Sequence, residues 1–563
     1  MGLMMLYTVH TMYLRTVTAS GVKYVQLAHN YRDPKTKISK VRVLQSLGRA
    51  DSLDVEALKR LVANICRFLE PYEGKPLQLG ADSPFEFIGS RELGVSWLLD
   101  AVWSRLGIRT ALESLLAKRE YATAVERLIF AMTLNRAMAP SSKLAMEGWI
   151  ADEVCVKGLS SVEVHQLYRA MDFLLESADE IQSKVFSSVA NLFNLEVDVI
   201  FFDTTTTFFE VEGLSRGEEE EFRRRGYSKD GRSDLGQIVI GFAMTRAGIP
   251  VRAWSWAGDT SDQAVVEEVK RDLNDWKLGR VVMVMDAGFN SSENRRVLQG
   301  AADGYIIGEK MRAGREGEPV EAARRPGAYK RLDCGLEAKE VVVGQGAGRR
   351  RFIVVRNPEE VERDHEKRAD IIREAQRRLE ELSQLAGEPH TKAACALRAH
   401  PVFGRYIKQS RRGALSLDRA KIVREARLDG KYLISTSEDS LPVEDVVTAY
   451  KNLWRIERLN RDLKHLVDIR PVYHRLEDRI RSHVLLCWLA LLLIRMVENG
   501  TGRTWRQVRS TLGKLKLGIY RTESADVRQS TPLNEEQRKV FADLHAEPPP
   551  RYLSVSTAKH PGA

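Results

Sequence analysis

The chain has 563 residues, 43% hydrophobic and 29% charged. That is the balance of a soluble globular protein of several domains, and it excludes a fibrous or wholly disordered one. Against 77 Asp and Glu stand 87 Lys and Arg, a formal net charge of +10 that points to an acidic partner, nucleic acid first. The 5 cysteines (Cys66, Cys155, Cys334, Cys395, Cys487) lie far apart, with no Cys-x-x-Cys and no His at ligand spacing, which argues against a zinc site or a disulfide framework and suits a reducing cytosol.

The opening MGLMMLYTVHTMYLRTV has no basic n-region and no uninterrupted apolar core, so no signal peptide is read there and a cytoplasmic protein is expected. From Tyr24 to Gly48, apolar and polar residues alternate around a turn at Asp33-Pro34-Lys35, predicting a basic β hairpin. Leu53 to Leu69 reads as a helix, and Pro71 to Pro84 as a linker. Residues 86–195 have helical spacing almost throughout and no catalytic-looking cluster, which fits either a DNA-binding or a packing domain.

At Val197 the texture changes. VDVIFFDTTTTFF is β-branched and aromatic, a predicted strand ending with Asp203 and four threonines. A charged loop follows (Gly213 to Arg232), then strands at Gly236–Thr245 and Pro250–Trp256. GDTSD (Gly258 to Asp262) reads as the cap of a helix running to about Trp276, with Asp259 and Asp262 as capping residues. Arg280 to Met285 is a continuous apolar run of the central-strand kind and delivers Asp286 at its end. A helix near Ser292–Gln299 and a strand at Gly304–Lys310 complete a mixed sheet with helices on it.

Residues from about Arg312 to Leu428 interrupt this plan, with strands near Glu340–Val343 and Arg351–Val355 and a long amphipathic helix from Pro358 to about Leu385. Strand texture returns at Gly430–Ser437. The stretch Thr448 to His474 reads as one helix that carries Tyr450, Leu453, Glu457, Arg461 and Lys464 on a single stripe. Val484 to Ile494 (VLLCWLALLLI) is too short to span a bilayer and fits a buried helix. The remainder is basic and ends in a disordered-looking segment from Pro548 onward.

Three carboxylates stand out by placement. Asp203 and Asp286 close two strands that emerge side by side if the first and fourth strands are neighbours, and Glu457 sits on a helix able to cross that edge. Oxygen ligands without His or Cys suit a hard ion such as Mg²⁺, and two such ions about 4 Å apart activate the attacking oxygen and stabilise the leaving oxygen of a phosphodiester. Taken singly, each Asp could equally cap a turn.

The joint pattern resembles the DDE transposases of bacterial insertion sequences, in the group with a Tyr-Arg-Glu-Lys signature. Tyr450, Glu457 and Lys464 fall at the signature intervals, whereas Leu453 occupies the Arg position and Arg461 lies one turn beyond Glu457. VDVIFFDTTTT and VVMVMDAGFN resemble the text around the family's two Asp residues, and GYSKDGRSDLGQIVIGF and IRPVYHRLEDRIRSHVLLCWLALLL resemble its flanking segments. The resemblance implies an RNase H-like α/β fold, a mixed sheet flanked by helices and interrupted by a large insertion. Asp203, Asp286 and Glu457 would be the catalytic, metal-holding residues, with two Mg²⁺ ions that Mn²⁺ could replace. Tyr450, Arg461 and Lys464 would contact DNA. It further implies end cleavage, strand transfer into target double-stranded DNA, and a homodimer that pairs two element ends. On this reading the chain divides into a small basic module (1–80), a helical and DNA-binding candidate domain (81–195), the first part of the core (196–311), an insertion domain (312–428), the second part of the core (429–500) and a basic tail (501–563). Another RNase H-like nuclease, and a decayed or domesticated copy that only binds DNA, are the competing readings; Leu453 is the residue that speaks for the last.

Overall fold

Alternating residues near the N-terminus form three antiparallel strands, β1 (Met12–Ala19), β2 (Val22–Arg32) and β3 (Ser39–Arg49), in the order β1-β2-β3. The computed structural model describes residues 12–19, 22–32, 39–52, 86–117, 119, 123–193, 199–210, 222–276, 280–300, 303–311, 317–346, 349–411, 413–472, 474–522 and 525–557. The predicted Asp33-Pro34-Lys35 turn, the helix after Leu53, the linker to Pro84 and Cys66 lie outside the described residues. β1, unforeseen from the sequence, adds a third strand to the expected hairpin.

The chain folds as two units. One comprises residues 1–101, 143–164 and 503–563, the other residues 102–142 and 165–502. The 86–195 stretch is divided between the two units, and its almost continuous helical spacing is preceded by a strand of the first, β4 (Glu86–Glu92).

The second unit is built on a nine-stranded sheet. β5 (Val199–Phe208) is its centre, flanked by β6 (Gln237–Thr245) and then β7 (Pro250–Ala257), each antiparallel to its neighbour. On its other side β5 pairs in parallel with β8 (Val282–Met285), which pairs in parallel with β9 (Gly304–Glu309). The β6 residues are buried throughout and β8 likewise, as expected of strands covered on both faces. The sheet then continues beyond the predicted core. β10 (Lys330–Arg331), β11 (Glu337–Val343) and β12 (Arg350–Arg356) extend it, so the first part of the expected insertion belongs to the core sheet. Only residues 357–430, including the small hairpin β13 (Ile407–Gln409) and β14 (Leu415–Leu417), leave it before β15 (Lys431–Thr436) returns between β12 and β9.

Helix Glu477–Thr501 is long and apolar enough to cross a membrane by length and composition, but 94% of its apolar window is buried in the protein. It packs on helix Val125–Met138 and on β7, where the Trp488 indole donates to Pro250 O at 3.1 Å and the Ser482 hydroxyl to Met171 O at 2.7 Å. It is the core helix that the run VLLCWLALLLI suggests.

The C-terminal segment is a correction to the expected tail. Helix Trp505–Leu512 carries a full capping box from Thr504 and Gln507. β16 (Lys516–Arg521), β17 (Ala525–Ser530) and β18 (Tyr552–Thr557) then form a four-stranded sheet in the order β18-β17-β16-β4. Pro548-Pro549-Pro550 precedes a strand rather than a disordered end, because Ser530 holds the returning backbone: its amide donates to Arg551 O at 2.9 Å and its hydroxyl to Pro550 O at 3.0 Å.

Leu489 is fully buried at the centre of the long helix. Leu489→Ala is expected to cost roughly 2–5 kcal/mol, read as a lower denaturant midpoint in equilibrium unfolding.

Candidate active site

Asp203 does not end its strand. It sits in the middle of β5, opposite Phe242 of β6, and the four threonines after it continue the strand as buried residues. The parallel register sets Phe201 against Val284 of β8. Two residues further along each strand are Asp203 and Asp286, so the register brings the two carboxylates level. Asp286 begins a short 3-10 turn (Ala287–Phe289) just past β8.

The predicted single helix from Thr448 is two helices, Val443–Lys451 and Trp454–His465, with a break at Asn452-Leu453. The break separates the tasks of the two pieces. The first carries Tyr450, whose hydroxyl lies 3.4 Å from Asp286 Oδ1, and burial followed by the Asp286 carboxylate raises its pKa, so that it stays a protonated donor. Gly308 of β9 makes this approach possible: a Cβ there would meet the Tyr450 oxygen at 2.3 Å. The second helix packs on β5 and carries Glu457.

Asp203, Asp286 and Glu457 line one cavity of about 650 Å³, together with Asp262, Lys229, Thr204, Lys310 and Leu453. Burial pushes the Asp203 carboxyl up to about 6; the Lys229 ammonium opposes the rise, and Asp262 and Asp286 add to it. Three residues that the sequence reading did not select complete the cluster. Asn460 lies one helical turn beyond Glu457 and donates its Nδ2 to Asp203 Oδ2 at 2.9 Å. Lys229 Nζ donates to Thr204 O at 2.7 Å and Thr204 Oγ1 at 2.8 Å, and lies 3.6 Å from Asp203 and 3.5 Å from Asp262. Asp262 is not the expected helix cap. The helix starts four residues later, at Val266, and Asp262 instead accepts the Thr204 hydroxyl inside the cavity.

The loop holding Lys229 is fixed by close backbone contact. A Cβ on Gly226 would sit 2.1 Å from Gly258 O, and one on Gly258 would sit 2.1 Å from both Arg224 O and Gln237 O. Lys464 grips the same loop through Asp230 at 2.7 Å, a carboxylate shared with Arg470 at 3.3 Å. Arg461 is exposed and is not part of the cavity wall. Leu453, at the signature's Arg position, is 7% exposed and forms apolar wall. Arg455 turns away to Arg246 O.

The donor set is all oxygen, which suits a hard cation, and the Lys229 ammonium already lies between two of the carboxylates as a positive charge would. Among the described residues no three His, Cys, Asp or Glu side chains are gathered closely enough to share one ion as they stand. A larger cleft of about 800 Å³ lies elsewhere; of the carboxylates that line it, Asp179 and Asp272 are taken by Arg252 and Glu268 by the Trp256 indole.

Gly308→Ala is expected to displace the Tyr450 side chain and lower the melting temperature by several degrees, an overpacking cost of about 1–3 kcal/mol. Gly248→Ala, where a Cβ would meet only the Arg455 side chain at 3.7 Å, serves as a comparison that carries backbone strain without touching the cavity.

Several comparisons bear on identity. No curated protein matches the chain. A piggyBac transposase synaptic complex with hairpin DNA is similar over 75% of this chain and 78% of that one, at 10% identity and a TM-score of 0.32. Residues 14–75 match the N-terminal domain of the IS1634 family transposases, and residues 198–493, more than half of the chain, match the transposase DDE domain. The chain belongs to the DDE transposases of insertion sequences, enzymes of DNA transposition.

Proposed function

We propose that this transposase cuts DNA at the ends of its own element and joins the freed 3′-hydroxyls to target DNA, with Asp203, Asp286 and Glu457 as the catalytic residues of an RNase H-like core. The observation that carries the reading is the shared cavity: three carboxylates from segments far apart in sequence line it. The order β7-β6-β5-β8-β9, with one antiparallel and one parallel wing around β5, supports the RNase H-like assignment.

Asp203, Asp286 and Glu457 would hold divalent cations, Mg²⁺ with Mn²⁺ as a substitute, which when bound lower the pKa of an attacking water or hydroxyl and stabilise the leaving oxygen. The chain's own residues do the rest. β5 and β8 fix two carboxylates level with each other, Asp203 in mid-strand and Asp286 just past the end of β8, and helix Trp454–His465 presents the third. Asn460 orients Asp203 by donating to Oδ2, while Oδ1 faces the Lys229 ammonium at 3.6 Å. In cleavage, water oxygen bonds to phosphorus and the 3′-oxygen leaves with a proton; in joining, that 3′-hydroxyl attacks a target phosphodiester and displaces its 3′-oxygen. Arg461, exposed on the helix that carries Glu457, contacts phosphates, which gives affinity and register without reading sequence, while Tyr450 and Lys464 act from within the site through Asp286 and Asp230. Two ends must be processed together, and a homodimer is the assembly we assign to that step.

Asp286→Asn and Glu457→Gln are expected to abolish Mg²⁺-dependent cutting of a duplex from the gene's flanks, with loss exceeding about 1000-fold, while binding of that duplex changes by less than about threefold; roughly 4 kcal/mol of transition-state stabilisation is at issue. Unimpaired cutting by either variant would overturn the assignment.

Asp203→Asn adds a stability readout. The cost of the buried charge is absent below the ordinary carboxylate pKa of 3.8, grows between 3.8 and about 6, and is complete above it. The variant should therefore unfold at a higher temperature than wild type in metal-free buffer near neutral pH, by up to about 3 kcal/mol of stability, and should lose this advantage at acid pH. A lower melting temperature at neutral pH would show that the charge is compensated.

A further inference from the structure

Residues 357–430 leave the sheet after β12 and rejoin it at β15. β15 runs antiparallel to β9, with Leu433 opposite Glu309, the last residue of β9. β12 runs antiparallel to β15, with Arg356 opposite Lys431. β9 and β8 are parallel, and Asp286 follows the end of β8. The excursion therefore starts and finishes at the sheet end that carries Asp286, leaving three strands to the side and returning two, or roughly 10–15 Å at normal strand spacing.

From that end extends helix Pro358–Ser383, 26 residues and so about 39 Å long, slightly more than one turn of B-form DNA. The buried pair Arg368–Asp429, with side chains 8% and 7% exposed, ties the returning chain to it. Charge along this arm is segregated. The long helix has nine acidic and six basic residues, and its arginines are largely spent on local pairs such as Arg363–Glu360, Arg373–Asp370 and Arg377–Glu374. Residues 407–427 instead have seven basic and two acidic residues. Both acids are used internally: Asp418 caps helix Arg419–Ala426, and Glu425 takes Arg405 and the Tyr406 hydroxyl. Lys408, Arg411, Arg419, Lys421, Arg424 and Arg427 have no ion-pair partner among the described residues. The helix bearing four of them, counting its C-cap Arg427, buries none of its residues, so its cations are not there to support a core.

We propose that this arm, through the basic hairpin and helix of residues 407–427, grips the phosphate backbone of the duplex whose scissile bond occupies the Asp203–Asp286–Glu457 cavity. The inference rests on the proposed catalytic reading for where the DNA lies. The contact is electrostatic and blind to sequence: the segment's amide and carboxylates, Gln409, Asp418 and Glu425, are held by internal partners, and the cations left over fit phosphates rather than base edges.

The test is a quadruple variant of exposed residues, Lys408→Ala, Arg411→Ala, Arg419→Ala and Arg424→Ala, in the full chain. Its binding to a duplex of about four helical turns, taken from the gene's own flank, is followed by fluorescence anisotropy at roughly 50–200 mM salt. Each lost phosphate contact removes about 0.9 from the slope of log affinity against log salt, so the slope should fall by about 3–4 while the melting temperature stays at the wild-type value. A companion variant, Arg411→Lys, Arg419→Lys and Arg424→Lys, should keep the wild-type slope. An unchanged slope in the alanine variant overturns the proposal. So does a changed sedimentation coefficient without DNA alongside an unchanged slope, which would assign the surface to a second copy of the chain. The catalytic reading is judged separately: wild-type protein that binds the duplex but cuts nothing in Mg²⁺ counts against the cavity, while the slope comparison still decides the arm.

Discussion

Like charges gathered at the end of a covered sheet are the constraint on which this protein's architecture turns. Asp203 lies within a strand whose neighbours on both sides are buried, and a carboxylate there is costly unless donors reach it. Each surrounding element can be understood as bringing one. The loop after the charged segment brings Lys229, and it can lie close enough only because Gly226 and Gly258 let two backbones touch. The helix after the break brings Asn460 on the same face as Glu457. The helix before the break brings Tyr450 to Asp286 over a glycine in β9. Burial is not fully offset, and the Asp203 carboxyl is left raised to about 6.

How much of this was legible in the sequence depended on whether the signal was local. Asp286 was readable because a short apolar strand ends abruptly at an Asp. Asp203 was found but misplaced: four threonines look like a solvent-facing end, yet a strand between two partners buries both faces and takes threonine for its β-branching. Asp262 was read as a cap because GDTSD has the composition of one, and only the third dimension puts it against Thr204 and Lys229. Asn460 gave no signal, being a neutral amide whose partner is far away in the sequence. The break at Asn452-Leu453 was equally silent, since no Gly or Pro marks it.

The fold shows the same division. Strands β5 to β9 were legible from their textures, because period and branching are properties of neighbouring residues. The continuation of that sheet through β10 to β12 was not, since edge pairing is decided by hydrogen bonds between segments that no window spans. The C-terminal segment was the largest misreading. Its basic composition suggested a tail, whereas capping boxes at Thr504 and Asn534 and a strand partner in β4 make it a folded part of the first unit.

That pairing of β4 with β16 has a consequence for synthesis. Glu86 and Arg521 are register partners, so a strand made early must wait for one made more than 400 residues later. At roughly 5–20 residues per second the delay is on the order of half a minute. Throughout it, the edge of β4 that pairs with β16 waits, with only Glu92 bridged to Val154, while every strand of the nine-stranded sheet has been made. The first unit is therefore completed only after β16 is made, later in the chain than every strand of the nine-stranded sheet.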